Sequence, residues 1–244
     1  HIPGSAQVRV ECKGEVWVAS GDYKLRYDGL SPAFEPVRCH HFITESTFGL
    51  PLFRFPPQAQ VFQDIHQWWE QNRREGFSTV LFAYSLGKAQ RLIKHLNPAG
   101  GPMFVHSAIR QTNQALQADG WDIPELPLPS EGKKEDLKGA LVLAPPSAAR
   151  GTWLKAFGPA RLATASGWMA LRGARRRQAL DRGFLLSDHA DWDELHQAIE
   201  ASEAAHIWVT HGYRELFVRH LQDRGYEASV LETPFAGEEA EAEA

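Results

Sequence analysis

The sequence predicts an α/β protein whose larger part is a doubly wound parallel sheet. Three observations carry that expectation. Between residues 59 and 231, apolar runs of strand length alternate with segments of helical periodicity, the pattern of strand–helix–strand units with parallel strands. Residues 7–19 instead alternate apolar and polar positions on both sides of Lys13-Gly14, which is the pattern of a hairpin. Between the two regions, residues 51–57 are rich in proline and phenylalanine and mark a boundary.

Taken in order, the hairpin strands are expected over 7–11 and 15–19, and the second runs into Ser20-Gly21-Asp22-Tyr23, which puts Asp22 just beyond a strand. A third apolar segment, 41–44, ends in Glu45-Ser46-Thr47. Past the boundary come a helix over 59–75, a buried strand over 79–84, a tight turn at Ser85-Leu86-Gly87-Lys88 and a helix over 89–96. A strand at 103–105 and a helix at 108–118 precede a proline-rich, charged surface excursion over 122–138. Then follow a strand at 141–144, a helix at 147–157 and a strand at 161–165.

A basic stretch over 172–182, with Arg172, Arg175, Arg176 and Arg177, reads equally as a phosphate-contacting surface and as a solvated helix face. An apolar run from Phe184 then stops at Ser187-Asp188-His189-Ala190-Asp191, and its strand is expected to end at His189. Asp191, with Glu194 three residues on, has the spacing of a helix cap and capping box. A strand at 206–210 ends in His211-Gly212, followed by a helix at 214–224 and a last strand at 228–231.

At 244 residues and 43% apolar, the chain can bury one sizeable core and a second, smaller one. No apolar run approaches the roughly 18 residues of a membrane span and no signal-peptide pattern is present, so a cytoplasmic protein with no membrane partner is expected. Cys12 and Cys39 have no metal-type spacing and read as bystander thiols. The formal charge of -4 is carried by Glu238, Glu239, Glu241 and Glu243 of an acidic tail, leaving a neutral body. A neutral body neither demands nor excludes nucleic acid, because local patches bind phosphates.

The residues that can carry chemistry collect at strand ends and turns: His1, Asp22, Glu45, His189 and His211. Singly, each reads as an ordinary hydrogen-bonded residue. Together, imidazoles and carboxylates aimed from separate strands are what a divalent-metal site needs. Ser85, Gly87 and Lys88 lie where a strand, a glycine turn and a helix N-terminus meet, and free N–H groups with an added lysine can clamp a phosphate there. An ordinary strand-to-helix turn would have the same pattern. Ser166 and Gly167 can line the same cleft.

Seven segments occur together in a familiar order: His1-Ile2-Pro3-Gly4-Ser5-Ala6, Ser20-Gly21-Asp22-Tyr23, Thr44-Glu45-Ser46-Thr47-Phe48-Gly49, Phe82 through Gln90, Ala165 through Met169, Ser187 through Asp191, and Thr210-His211-Gly212. In this the chain resembles the β-CASP nucleases of the metallo-β-lactamase fold, and among them the bacterial ligase-associated DNA exonucleases. The resemblance implies a metallo-β-lactamase αββα sandwich, N-terminally incomplete here, carrying an inserted doubly wound parallel β-CASP domain. Residues 1–52 and 177–235 would belong to the sandwich, 53–176 to the insert and 236–244 to an acidic tail.

It further implies two divalent metal ions, zinc or manganese. His1 and His211 would be ligands, Asp22 a bridging carboxylate, and Glu45 the acid that orients His189. His189 would protonate the leaving oxygen during DNA exonuclease cleavage in ligase-associated repair. The implied partners are DNA, including single-stranded ends, and by functional association an ATP-dependent DNA ligase and a helicase. The family's His-x-His-x-Asp-His motif is absent and is expected upstream of His1. The chain as written is therefore expected to hold metal weakly, to show little nuclease activity and to leave a sheet edge exposed to aggregation. Two other readings are an RNA-processing nuclease of the same superfamily, which the histidine at 211 resembles, and a non-catalytic subunit that binds nucleic acid.

Overall fold

Two five-stranded sheets organise residues 1–96, 101–150, 152–177 and 179–232, the residues described by the computed structural model. In chain order the elements are β1 (Val8–Cys12), β2 (Glu15–Ala19), β3 (His41–Ser46), α1 (Gln58–Arg74), β4 (Ser78–Phe82), α2 (Lys88–His95), β5 (Met103–Val105) and α3 (Ser107–Ala118). They continue with α4 (Lys134–Leu137), β6 (Leu141–Ala144), β7 (Ala160–Ala165), α5 (Ala174–Arg177), β8 (Arg182–Phe184), α6 (Trp192–Ser202), β9 (His206–Gly212), α7 (Arg214–Asp223) and β10 (Glu227–Val230). The chain divides into two units: His1–Tyr27 and Ser31–Phe55 with the chain from Asp188 onward, and Asp28–Leu30 with Pro56–Ser187. The acidic segment assigned to 236–244 lies outside the described residues.

In the first unit the sheet order is β1-β2-β3-β9-β10. β1 and β2 form the antiparallel hairpin, closed by Lys13 and Gly14, both at positive φ (51° and 85°), as a two-residue turn that matches strand twist requires. The remaining pairings are parallel. Strand alternation turns Val16, Val18, Phe42, Ile207 and Val209 to one face, where they pack on Leu195, Ile199, Phe217 and Leu221 of α6 and α7. Asp191 starts α6 by accepting from the backbone N–H groups of Asp193 and Glu194, and Glu194 answers to the Asp191 N–H, so both partners of the capping box are engaged.

The second unit contains an all-parallel sheet in the order β5-β6-β4-β7-β8. Its central strand β4 is buried throughout, as expected of a strand covered on both faces. Leu81 joins Trp69, Leu92 and Leu143 on one face, while Val80 and Phe82 join Val142 and Phe157 on the other. From β4 the chain crosses to β5 on one side, and from β7 it crosses to β8 on the other. The direction of winding therefore reverses between β4 and β7, the position where α/β sheets form a crevice at the C-terminal ends of their strands.

Some elements differ from the sequence expectation. The helix expected over 147–157 is two 3-10 segments, Pro146–Arg150 and Thr152–Phe157. Pro145 and Pro146 supply no N–H, and Ala148 bonds back only three residues to Pro145, which favours the tighter turn. The excursion over 122–138 is not wholly superficial, since Ile123 and Leu137 are buried and it contains α4. Among the described residues of the basic stretch, Ala174–Arg177 form the single turn of α5 and Arg182 opens β8, with Arg172 and Arg176 exposed.

The strand expected to end at His189 stops at Phe184 and belongs to the second unit. Leu186 N–H bonds back to the Phe184 carbonyl (3.1 Å), turning the chain off the sheet, and the Arg91 guanidinium holds the Ser187 carbonyl at 2.6 Å. His189 therefore stands in an irregular segment that leads into α6. Glu45 and His211 lie inside β3 and β9 rather than beyond them.

Candidate active site

Asp22 leaves the end of β2 through Gly21, whose φ of 59° turns the backbone where a side chain would be disfavoured. Its two carboxylate oxygens face two different imidazoles. Oδ1 is 2.8 Å from His211 Nε2, and Oδ2 is 3.7 Å from His1 Nε2. Each imidazole is oriented by its other nitrogen. His1 Nδ1–H donates to the Asp188 carbonyl (2.9 Å). The Thr210 hydroxyl donates to the Thr44 carbonyl (3.2 Å) and accepts from His211 Nδ1–H (3.0 Å). Both histidines thus turn Nε2 towards the same carboxylate, the outer-sphere arrangement that fixes a ligating tautomer.

A bulge aims His211. Thr44 pairs with Val209 and Ser46 with Gly212, so two residues of β9 oppose Glu45 and the strand bends there, re-aiming its side chains. Gly212 has a φ of 87°, and a Cβ on it would overlap the Ser46 carbonyl. Ser46 Oγ–H also holds the His211 carbonyl at 2.7 Å. The bulge is thereby pinned from both strands.

His189 and Glu45 form the second half of the site. His189 Nδ1 is 2.9 and 3.1 Å from the two oxygens of Glu45, and the Tyr23 backbone N–H donates to Glu45 Oε1 at 3.0 Å. Glu45 is fully enclosed at 1% exposure. The His1 ring lies against His189 with centroids 4.5 Å apart, and Phe48 meets it edge-on at 5.9 Å. Burial acts to lower the His189 pKa, but the charges of Glu45, Asp22 and Asp188 and the Glu45 hydrogen bond outweigh it and raise it to about 9. His189 therefore carries a proton at neutral pH.

The His211 pKa is raised, first by the hydrogen bond to Asp22 and against the pull of burial. That of Asp22 is lowered although burial acts to raise it, because the His211 hydrogen bond and the charges of His189 and His211 prevail. An imidazole and a carboxylate that share a proton are also the donor types that a divalent cation takes in place of the proton. Ligand atoms of His1, Asp22 and His189 come within 4.8 Å of one another, as do those of Asp22, Glu45 and His211. The three residues expected as ligands of zinc or manganese, His1, Asp22 and His211, fall in these two different clusters and meet only at Asp22, with His211 at Oδ1 and His1 at Oδ2. Nitrogen and carboxylate donors of this kind fit such ions.

The structure thus brings His1, Asp22, Glu45, His189 and His211 together in the first unit. Ser85, Gly87, Lys88, Ser166 and Gly167 belong to the second, where they follow the C-terminal ends of the adjacent strands β4 and β7. Gln90 holds the first turn, accepting from the Gly87 N–H and donating to the Ser85 carbonyl and to Asn113 Oδ1. Ser166 caps the short turn after it by accepting from Trp168 N–H. The sequence reading missed Gln90, although its spacing from Gly87 is a capping signal. Asp188 was expected as local support of the site, and its carbonyl holds His1. Tyr23 and Thr210 stand in the segments that carry the family resemblance but were given no role, because they act through a backbone N–H and a hydroxyl and leave no local pattern.

No family profile matches the chain. It is 32% identical over 233 residues to a protein named "Probable DNA ligase" from Opitutus terrae (strain DSM 11246 / JCM 15787 / PB90-1), a match that covers 95% of this chain and 22% of the relative. The chain therefore spans about a fifth of the length of that relative. Its fold is similar to the crystal structure of a protein of unknown function from Enterococcus faecalis V583, with a TM-score of 0.58 at 10% identity, covering 96% of this chain and 60% of the other. At that identity the likeness shows the fold alone. No described helix is long and apolar enough to cross a membrane.

Proposed function

We propose that this chain is part of a metal-dependent phosphodiesterase that degrades DNA in the manner of the β-CASP exonucleases. The observation that carries the reading is a carboxylate-held histidine beside a second carboxylate whose two oxygens face separate imidazoles. His1, Asp22 and His211 would hold the divalent ions, zinc or manganese. Such ions supply Lewis acidity towards phosphate and lower the pKa of water. His189 delivers a proton to the departing oxygen, and Glu45 keeps its Nδ1 occupied so that Nε2 is the donor. Tyr23 N–H fixes Glu45, and Phe48 limits the tilt of the His189 ring.

The relative named a DNA ligase supports DNA over RNA as substrate and an association with DNA ligation. A helicase partner rests on the family resemblance alone. Ser85, Gly87, Lys88, Ser166 and Gly167 would contact the phosphate backbone.

The test is cleavage of end-labelled single-stranded DNA and matched RNA by the polypeptide that contains this chain, with and without chelator. Chelator-sensitive loss of DNA that depends on His189 is expected. Cleavage that survives both chelation and His189→Ala would sink the assignment, and preference for RNA would move it to the RNA-processing members. The 244 residues alone are expected to bind zinc or manganese weakly, because three protein ligands are few for two ions.

A further inference from the structure

Of the five candidate site residues, Glu45 and His211 lie within strands and Asp22 follows β2, whereas His1 and His189 lie outside every described strand and helix. A functional group in such a position needs its backbone fixed by other means, because a site works only when its members are held close to one geometry. Both are tied to the two residues that follow Asp22. The Tyr23 carbonyl accepts from the N–H of Ala190, next to His189. The Tyr23 hydroxyl meets Thr44 Oγ at 2.9 Å and fastens the segment to β3. Lys24 reaches the other residue: its Nζ donates to the main-chain carbonyl of His1 at 2.5 Å. Lys24 is only 6% exposed. An ammonium taken out of water is costly unless its donors are met, so its place against the His1 backbone is a built contact rather than a loose surface one.

We propose that Lys24 is a positioning residue: by gripping the His1 carbonyl it sets the imidazole so that Nε2 and Asp22 Oδ2 can close on one divalent cation. The Asp188 carbonyl already takes the His1 Nδ1–H and fixes the tautomer, so Lys24 governs where the residue stands rather than how its ring is protonated. This deepens the reading above, and rests on its claim that His1 and Asp22 are metal ligands. Partners that orient a ligand are worth about 10- to 100-fold in metal affinity. Charge alone argues the other way, since an ammonium this near repels a cation and its removal would tighten binding. The sign of the change therefore separates the two effects.

The experiment measures zinc affinity by competition with a chromophoric chelator in the polypeptide that contains this chain. Wild type, Lys24→Met, His1→Ala and the double variant are compared, with circular dichroism to show that each is folded. Lys24→Met is expected to weaken zinc binding about tenfold or more. Because Lys24 acts through His1, the same change should cost less than about twofold when His1 is already alanine. Lys24→Gln keeps an uncharged N–H donor, should fall between Lys24→Met and wild type, and takes the place of Lys24→Met if that variant does not fold. Unchanged or tighter zinc in a folded Lys24 variant, or an equal loss with and without His1, would overturn the positioning role and leave the metal site standing. A wild type that binds no zinc would remove the metal site and the role of Lys24 together.

Discussion

His189 has both oxygens of Glu45 against one ring nitrogen, and the outcome is an imidazole that stays protonated at neutral pH in spite of its burial. In the active polypeptide, His189→Ala should slow DNA cleavage by about 10²- to 10⁴-fold, the usual worth of a positioned general acid. Metal content by mass spectrometry should stay nearly intact, and its loss would make His189 a ligand. Asp22→Asn should do the opposite, lowering retained metal. The Glu45–His189 pair is separated by 144 positions, so no local pattern could join them. Each residue was visible in the sequence, but their pairing followed only from the family resemblance.

A different histidine pair makes stability depend on pH. His196 Nδ1–H donates to the Trp192 carbonyl (2.7 Å), leaving Nε2 to accept from His220 Nε2–H at 3.0 Å. Burial lowers both pKa values, helped by the charge of Arg224 and, at His196, by that of His220. The folded state therefore resists protons that the unfolded chain takes up near roughly pH 6.5. Their contribution to stability is present above that pH and is lost as pH falls towards the lower folded values. His189 and His211, whose pKa values are raised, act in the opposite sense over this range. The expectation is therefore comparative: between pH 7.5 and 5.5 the urea midpoint of His196→Gln should fall less, or rise more, than that of the wild type. An unchanged pH dependence in the variant would exclude this pair as its source.

At the scale of elements, one cap and one bulge decide where side chains point. Asp191 takes two N–H groups of α6, the Phe55 N–H and the Arg26 guanidinium. Asp191→Ala should lower unfolding free energy by about 1–3 kcal/mol, the loss of a cap together with buried donors left unmet. Denaturant titration measures it, and a change within experimental error would show the cap to be replaceable. Gly212→Ala should cost at least as much, about 1–3 kcal/mol from the left-handed φ before the overlap with the Ser46 carbonyl is relieved.

The Asp191 cap was legible because its spacing to Glu194 is a local signature. The bulge opposite Glu45 was not, since nothing in Thr210-His211-Gly212 shows which partner strand it will meet.

At the scale of the whole molecule, the end strand β1 is exposed at every position, with Val8 at 58% and Val10 at 55%. Among the described residues it pairs only with β2. A free strand edge bearing valines is a template for pairing with another chain. Val10→Lys should reduce concentration-dependent association in light scattering and leave the unfolding midpoint unchanged. Association that persists in the variant would place the contact elsewhere.

The alternation of strands and helices by itself determined that this is an α/β protein, because buried parallel strands read as apolar runs and their covering helices as amphipathic ones. It also determined the hairpin, the position of α6 and the turn after β4, where local chemistry suffices. The tertiary structure decided the rest. It ended β8 at Phe184, because Leu186 and Ser187 bond away from the sheet, and so placed His189 off any strand. It set His1 and His211 on the two oxygens of the Asp22 carboxylate and left Tyr84 exposed. Those relations join residues far apart in the chain, and only the register of β3 against β9 and the order of the parallel strands bring them together.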